Sequence, residues 1–206
     1  DRPHLNTLIT DKNFSTRVEI NFMNRSSFEI EFWSSFTYLE NEFNITRNDN
    51  AIPLPIGKYD YNFFELNYNG DNTKNFNINA GISAGKFYNG NKFSFQTKLN
   101  YRIEPIFQSS FNISYDKIDL PLPYDSAELW LIGPKINFTF TKELFWSNYI
   151  QYSSLNESVG INSRLQFRFA PLSDFYLVYN DNYFASNIFA PKVRSLTFKL
   201  SYWFNL

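Results

Sequence analysis

The segment FSFQTKLNYRIE, residues 93–104, alternates apolar and polar side chains along its whole length. The apolar set is Phe93, Phe95, Leu99, Tyr101 and Ile103, and the polar set is Ser94, Gln96, Lys98, Asn100, Arg102 and Glu104. Successive side chains of a β-strand point to opposite faces, so this period of two predicts a strand with one apolar and one polar face. A strand of a soluble domain usually has about 5 or 6 residues, whereas a strand that crosses a membrane obliquely needs about 9 to 11. The length of the alternation therefore favours a membrane-spanning strand.

The same alternation recurs along most of the chain, with turn residues between the runs. It predicts about eleven strands and no helix, within one continuous all-β domain over residues 1–206. In the third strand the phase changes at Phe63 and Phe64, which predicts a β-bulge. The predicted strands lie near residues 14–22, 28–38, 58–69, 76–85, 93–104, 111–115, 136–140, 144–152, 161–169, 175–179 and 194–206.

The composition narrows the possible functions. Nineteen basic and twenty acidic residues give a formal net charge of -1, which leaves no electrostatic footprint for nucleic acid. The absence of cysteine excludes disulfides, a thiolate nucleophile and cysteine-ligated zinc. Aromatic residues make up 20% of the chain although its mean hydropathy is -0.38, so many rings sit on a polar chain. The first residues, DRPHLNTLIT, lack the basic flank and apolar run of a signal peptide, so this is a mature chain or one whose front is missing.

Two architectures share this alternation: a soluble sandwich or barrel with an apolar interior, and an outer-membrane barrel whose apolar side chains face lipid and whose polar side chains face a lumen. Long runs, a heavily charged polar face and aromatic residues near the strand ends, such as Tyr101, Trp146 and Tyr152, favour the outer-membrane barrel. This prediction requires that Phe93, Phe167 and Phe198 do not meet in a dry centre. The predicted lumen-facing residues are Arg17, Glu19, Glu29, Glu31, Lys98, Arg102, Glu104, Arg164, Arg168 and Lys199.

The chain ends in an alternating strand whose last apolar positions, Tyr202, Phe204 and Leu206, resemble the signal by which the bacterial assembly machinery recognises outer-membrane barrels, except that the last residue is not aromatic. Such barrels have short periplasmic turns and long outer loops. Long connections predicted at 40–57 and 182–193 then lie outside, and the first strand starts outside. An odd strand count predicts that the chain is the C-terminal part of a larger barrel; the alternative is ten strands that close alone.

Three segments carry a resemblance to a known family: IPLPIGKYDYNFF from Ile52, GKFYNG around Phe87 to Gly90, and NSRLQFRFAPLSDFYLVYN from Asn162 to Asn180. In order and spacing they resemble the C-terminal outer-membrane β-barrel domain, of unknown function, in Gram-negative surface proteins whose N-terminal domain is similar to family-9 carbohydrate-binding modules. The resemblance covers nearly the whole chain. It implies a longer parent protein with upstream strands and brings no catalytic residue to this segment.

Few residues suggest chemistry. His4 is the single histidine and has no acidic or nucleophilic partner at a defined spacing. Glu29 and Glu31 share one face and could serve glycoside hydrolysis, but a wall of crossing charges is the simpler interpretation. The Asn-Asp-Asn triplets at 48–50 and 180–182 could bind calcium, but neither has the alternating ligand pattern of a calcium loop, and solvated loops are the better interpretation. We therefore expect no enzyme, no cofactor and no metal site.

These observations predict an outer-membrane β-barrel that serves as the membrane anchor or port of a cell-surface protein and binds or passes a glycan or another small solute. Its expected partners are outer-membrane lipid, upstream strands of the same parent barrel and other outer-membrane proteins. Trp33 and Trp203 on the polar face favour a narrowed lumen over a wide pore. The alternatives are a scaffold subunit of a multi-protein outer-membrane complex and a soluble carbohydrate-binding β-sandwich.

Overall fold

The computed structural model describes residues 9–45 and 51–204, with the side chains of 187–189 left aside. Within these ranges the fold is all-β: eleven antiparallel strands follow one another up and down in a single sheet, in chain order. This confirms the predicted fold class and the strand count of about eleven, while closure of the sheet into a barrel stays a prediction. No helix in these ranges is long and apolar enough to span a membrane. The strands are β1 (Asp11–Asn21), β2 (Ser27–Leu39), β3 (Gly57–Asn69), β4 (Phe76–Phe87), β5 (Gly90–Ile103), β6 (Phe107–Asp119), β7 (Ala127–Thr139), β8 (Leu144–Ser153), β9 (Ser158–Ala170), β10 (Ser173–Phe184) and β11 (Asn187–Ser201).

Residue contacts group into two compact units, and strands β4, β5, β6 and β7 each contribute residues to both. The first unit comprises Asp1–Asn69, Ala80–Gln96 and Tyr115–Glu128, and the second comprises Gly70–Asn79, Thr97–Ser114 and Leu129–Leu206. The predicted single domain over residues 1–206 stays a prediction.

In the first unit, strand register separates polar from apolar side chains. Arg17 of β1 lies opposite Glu31 of β2, which lies opposite Glu65 of β3. Since neighbouring residues of a strand point to opposite faces, the next row along lies on the other face of the sheet. That next row consists of Val18, Ile30 and Leu66. The polar face and the apolar face predicted from the alternation are therefore both present.

The second unit has the same two faces. One row across strands β8 to β11 is apolar, and the row beside it carries Arg164 among small or polar side chains. The apolar row consists of Trp146, Leu165, Leu177 and Phe198. On this face a chain of aromatic rings lies near one end of the strands. The ring centroids are 6.2 Å apart for Tyr101 and Phe107, 5.1 Å for Phe107 and Phe138, and 5.9 Å for Phe138 and Trp146.

The polar face is more covered than the apolar face. Glu31, on the polar face of β2, is 4% exposed, whereas Val18, on the apolar face of β1, is 58% exposed. Phe93, Phe167 and Phe198 are each more than two-fifths exposed, so none of them lies in a dry centre. Within the described ranges, only four hydrophobic side chains are buried: Ala51, Leu54, Ile118 and Tyr183. The sheet thus has no extended apolar core.

Several predicted details are wrong. Strand β3 pairs with β2 without a shift from Gly57 to Asn69, so this pair contains no bulge. The phase change has another cause: Phe63 lies on the polar face, where its ring stacks on Trp33 with centroids 6.1 Å apart.

The long connection predicted at 182–193 is also wrong. Strand β10 runs to Phe184 and β11 begins at Asn187, which leaves a connection of two residues. Register shifts on both sides of Tyr183 explain the error, because they break the period of two in the sequence. The triplet at 180–182 consequently belongs to a strand. The orientation was predicted from a contrast between short and long connections, and that contrast now depends mainly on the connection at residues 40–56. Within this connection Leu54 is buried and forms a β-bridge with Phe43.

The end of the chain also differs from the prediction. Strand β11 stops at Ser201, so Tyr202 and Phe204 follow the strand and do not belong to it. The ring of Tyr202 stacks on Phe169 at 6.3 Å and contacts Phe204 edge-on at 4.5 Å. Leu206, His4 and residues 48–50 lie outside the described residues.

Candidate functional site

The polar face of the first unit holds a cluster of carboxylates around one guanidinium. Arg17 contacts Glu31 at 3.3 Å through Nη2 and Glu29 at 3.5 Å through Nε. Glu19 lies directly opposite Glu29, and Glu65 lies directly opposite Glu31. Four of the residues predicted to face the lumen therefore form one group. Because Glu29 and Glu31 share the same arginine, they are arranged as an ion-paired wall.

Beside this cluster, the first unit has an aromatic cavity of about 370 Å³. Four of its lining rings belong to Trp33, Tyr61, Phe63 and Phe87, and its polar lining includes Glu65. Trp33 and Phe63 are stacked with only 10° between their planes. Among the described residues, the buried indole nitrogen of Trp33 has no hydrogen-bond acceptor. Buried donors normally have a partner, so this one is suited to an acceptor on a bound molecule or water.

Tyr88, in the turn between β4 and β5, is the centre of an aromatic cluster next to this cavity. Its ring centroid lies 4.9 to 5.8 Å from those of Phe87, Tyr59, Tyr61 and Phe43. Its φ is 50°, in the left-handed region, where a bulky residue costs about 1 to 2 kcal/mol. Burial, followed by the nearby ionisable groups of Tyr61, Asp11 and Tyr59, raises the pKa of the Tyr88 phenol. The cluster therefore maintains a strained turn at the edge of the cavity.

A small residue occupies a crowded position on the polar face at Gly81. A Cβ at this position would lie 2.6 Å from Oδ1 of Asn67 and 3.1 Å from Nε2 of Gln96. The small residue therefore makes room for side chains from both neighbouring strands, as expected where polar side chains are crowded.

The second unit has a different cavity on its polar face. It measures about 460 Å³ and is lined by cations, amides and hydroxyls. Lys98 and Arg102 were predicted to face the lumen and Asn100 was assigned to the polar set of its strand, whereas Lys135 was not among the predicted residues. Alternating asparagines in NFNIN, residues 75–79, are the sequence pattern that could have indicated the amide lining. The six lining asparagines are Asn72, Asn75, Asn77, Asn79, Asn100 and Asn137.

The remaining residues predicted to face the lumen are dispersed along the second unit. Arg164 lines a smaller cavity of about 390 Å³, which Lys135 also lines. Arg168 contacts Asp174 at 3.2 Å, and the Lys199 ammonium lies 6.0 Å from the ring centroid of Tyr176. Glu104 contacts Arg102 at 3.3 Å.

One ion pair lies where the alternation places no charge. On the apolar face of the second unit, Arg194 contacts Asp181 at 2.7 Å, and the Tyr179 hydroxyl donates to the same carboxylate at 2.5 Å. Asp181 shares its face with Leu177, and its side chain is almost completely buried. This pair was not predicted because the surrounding segment was expected to be a loop.

Comparison of the chain with known protein families, curated proteins and solved structures finds no match. Within residues 9–45 and 51–204, no group of three or more His, Asp or Glu side chains is placed to hold a metal ion.

Proposed function

We propose that this chain forms membrane-spanning strands of a bacterial outer-membrane β-barrel that serves as the anchor or port of a cell-surface protein. The observation that carries the proposal is the reversal of polarity across the sheet: side chains such as Val18, Phe64 and Phe198 are exposed in rows, while Glu31 is buried. Soluble monomers rarely expose contiguous apolar patches of more than a few hundred Å². If these rows contact hydrocarbon, their apolar side chains are no longer exposed to water.

Two further features support a membrane location. The strands have 10 to 15 residues, enough for a tilted strand to cross the hydrocarbon layer, which needs about 9 to 11. The ring chain from Tyr101 to Trp146 follows one edge of the apolar face, and outer-membrane barrels place aromatic girdles at the membrane–water interface.

The sheet edges support a role within a larger assembly. The pairings of the described residues give β1 the single neighbour β2 and β11 the single neighbour β10, and every residue of β1 is exposed. Unpaired backbone groups cost several kcal/mol each in lipid, so both edges need a partner strand there. We propose upstream strands of the same parent barrel as the occupant at β1, and a scaffold role beside another outer-membrane protein as the second candidate.

The aromatic cavity of the first unit supports binding of a glycan or a similar ring-shaped solute. A sugar ring has an apolar face that can lie against Trp33 or Phe63 and hydroxyls that can accept from the indole nitrogen. Cavities of about 300 to 1,000 Å³ with aromatic walls and a few polar groups are typical ligand sites. A soluble sugar-binding protein would have the same cavity, so the membrane proposal needs its own test.

Three measurements separate these candidates. In Triton X-114 phase separation, the folded chain should enter the detergent phase, and a semi-native gel should show a band that shifts on heating. Recovery in the aqueous phase without detergent would instead favour the soluble sandwich. A photo-crosslinker at Ser15 on β1 then identifies the neighbour of this edge in cells. An adduct with upstream residues of the parent supports the anchor, and an adduct with another outer-membrane protein supports the scaffold.

A further inference from the structure

The larger cavity on the polar face of the second unit carries an excess of positive charge. Lys98, Arg102 and Lys135 all line it, and none of the described residues that line it is a carboxylate. Its other lining groups are the six asparagines together with Gln108, Ser109, Ser110 and Tyr101. The polar lining thus consists of cations and of neutral groups that can donate hydrogen bonds.

Little within the described residues neutralises these cations. Arg102 contacts Glu104 at 3.3 Å and donates through Nη2 to the Thr73 carbonyl at 2.9 Å. Its Nε is buried and has no acceptor. Neither Lys98 nor Lys135 has a carboxylate within 4 Å in the described part of the chain. The cavity therefore offers at least two unpaired ammonium groups and one unused guanidinium donor.

We propose that this cavity binds small oxyanions, phosphate or carboxylate groups, and that it makes the proposed port selective for anionic solutes. A guanidinium and ammonium groups are the side chains that bind phosphate and carboxylate best, and an unused N–H donor suits a charged oxygen acceptor. The asparagine amides add donors and acceptors for hydroxyl groups on the same solute. The binding site stands on the geometry alone; its role in selectivity rests on the proposed function.

The neighbouring cavity continues the positive charge. Lys135 lines both cavities, and Arg164 lines the second one with Tyr149 and Asn162. Arg164 has no carboxylate within 4 Å in the described residues. Conduction requires several sites that each bind weakly enough to release the solute, and rings of Lys and Arg line anion pores. Cations shared between adjacent cavities fit that requirement.

Binding is tested on the full chain in detergent micelles with inorganic phosphate as the probe, followed by ³¹P NMR line broadening and calorimetry. The double variant Lys98→Gln with Lys135→Gln should weaken phosphate binding about tenfold or more, since charge-assisted contacts are roughly twice as strong as neutral ones. Lys98→Arg with Lys135→Arg should retain binding. Lys142→Gln, which makes the same charge change in the exposed turn after β7, should have no effect. Glucose serves as the neutral probe, and glucuronate and glucose 6-phosphate compare the two anionic groups.

Selectivity is tested separately in planar bilayers under a KCl gradient. The wild-type reversal potential should indicate anion preference, and the Lys98→Gln, Lys135→Gln variant should move it toward zero or cation preference. Phosphate binding that is absent at millimolar concentration, or unchanged in the double variant, would overturn the anion site. Binding without any conductance would refute the port and leave the anion site in place.

Discussion

Phe64 offers the sharpest test of which medium contacts the apolar face. It lies one residue from the centre of β3, is 57% exposed and pairs with Phe32 at a ring distance of 5.1 Å. The perturbation is Phe64→Arg. Its matched control is Gln96→Arg near the centre of β5, on the polar face, where the wild-type side chain is already long, polar and exposed.

The two environments predict different costs. In water, Phe64→Arg loses mainly the ring pair, which is worth about 0.5 to 1.5 kcal/mol. In a bilayer the same change also places a cation in hydrocarbon, which costs about 2 to 4 kcal/mol near the midplane of a β-barrel. We therefore expect Phe64→Arg to lower the free energy of unfolding by ~3 to 5 kcal/mol in lipid, whereas Gln96→Arg changes it by less than ~1 kcal/mol because its side chain stays in a hydrated, polar environment.

The assay is urea-induced unfolding in phosphatidylcholine vesicles, followed by tryptophan fluorescence and by the heat-shifted gel band. Both variants are measured on the same vesicle preparation, so that their difference is independent of lipid composition. Equal stabilities of Phe64→Arg and Gln96→Arg in vesicles would refute the assignment of the apolar face to lipid. A wild-type chain that folds in detergent-free buffer, where Phe64→Arg costs only the ring pair, would refute it as well.

Three other predictions concern the polar face and the turns. Arg17→Ala should destabilise the fold by about 1 to 2 kcal/mol because buried Glu31 loses its charged partner. In a double-mutant cycle, adding Glu31→Gln should recover part of that loss. Additive effects would show that the two side chains are uncoupled. The pKa of Tyr88 is raised in the folded chain, so the unfolded chain ionises at lower pH than the folded chain. The stability that this difference contributes is complete below pH 10.0 and is lost as the pH rises through the folded pKa. Tyr88→Phe should therefore flatten the alkaline stability profile, and an unchanged profile would contradict this. Leu172 has φ 57°, so Leu172→Gly should raise the melting temperature by relieving strain of about 1 kcal/mol. The control is Ile106→Gly, at a turn residue without positive φ, which should lower the melting temperature. Equal shifts of the two variants would refute the strain argument.

The strand pattern could be predicted where register is regular. Strands β1 and β5 follow the alternation closely, since each of their faces has mainly one chemical character, whereas β2 departs from it at Trp33 and Ser34. Prediction failed where geometry breaks the period. Around Tyr183 two register shifts interrupt the alternation, so the ends of β10 and β11 resemble a loop in the sequence. In β3, the phase change at Phe63 resembles the effect of a bulge on the sequence. Phe63 lies on the polar face because its ring stacks on Trp33 there, and not because it contacts lipid.

The site residues show a similar division. Lys98 and Arg102 could be assigned to the polar face from the clean alternation of β5. Lys135 could not, because Gly133 and Pro134 interrupt the pattern of β7. The aromatic cavity depends on residues from five strands, β1 to β5, and could not be assembled without their register.

Net charge hides the most informative electrostatic feature of the molecule. The whole chain is nearly neutral, with nineteen basic and twenty acidic residues, and that balance leaves no electrostatic footprint for nucleic acid. Register and the cavity linings show that each unit nevertheless contains a local group of side chains of mainly one sign. The polar face of the first unit gathers Glu19, Glu29, Glu31 and Glu65 around Arg17, whereas the cavities of the second unit are lined by Lys98, Arg102, Lys135 and Arg164.

Side chains of one sign raise the local concentration of ions of the opposite sign, and low ionic strength strengthens this effect. If the second unit binds oxyanions through its unpaired cations, phosphate affinity must fall as ionic strength rises. A cavity that relied on its asparagine amides alone would be insensitive to salt. The salt dependence of phosphate binding therefore separates charge from hydrogen bonding as the source of affinity, without any substitution in the chain.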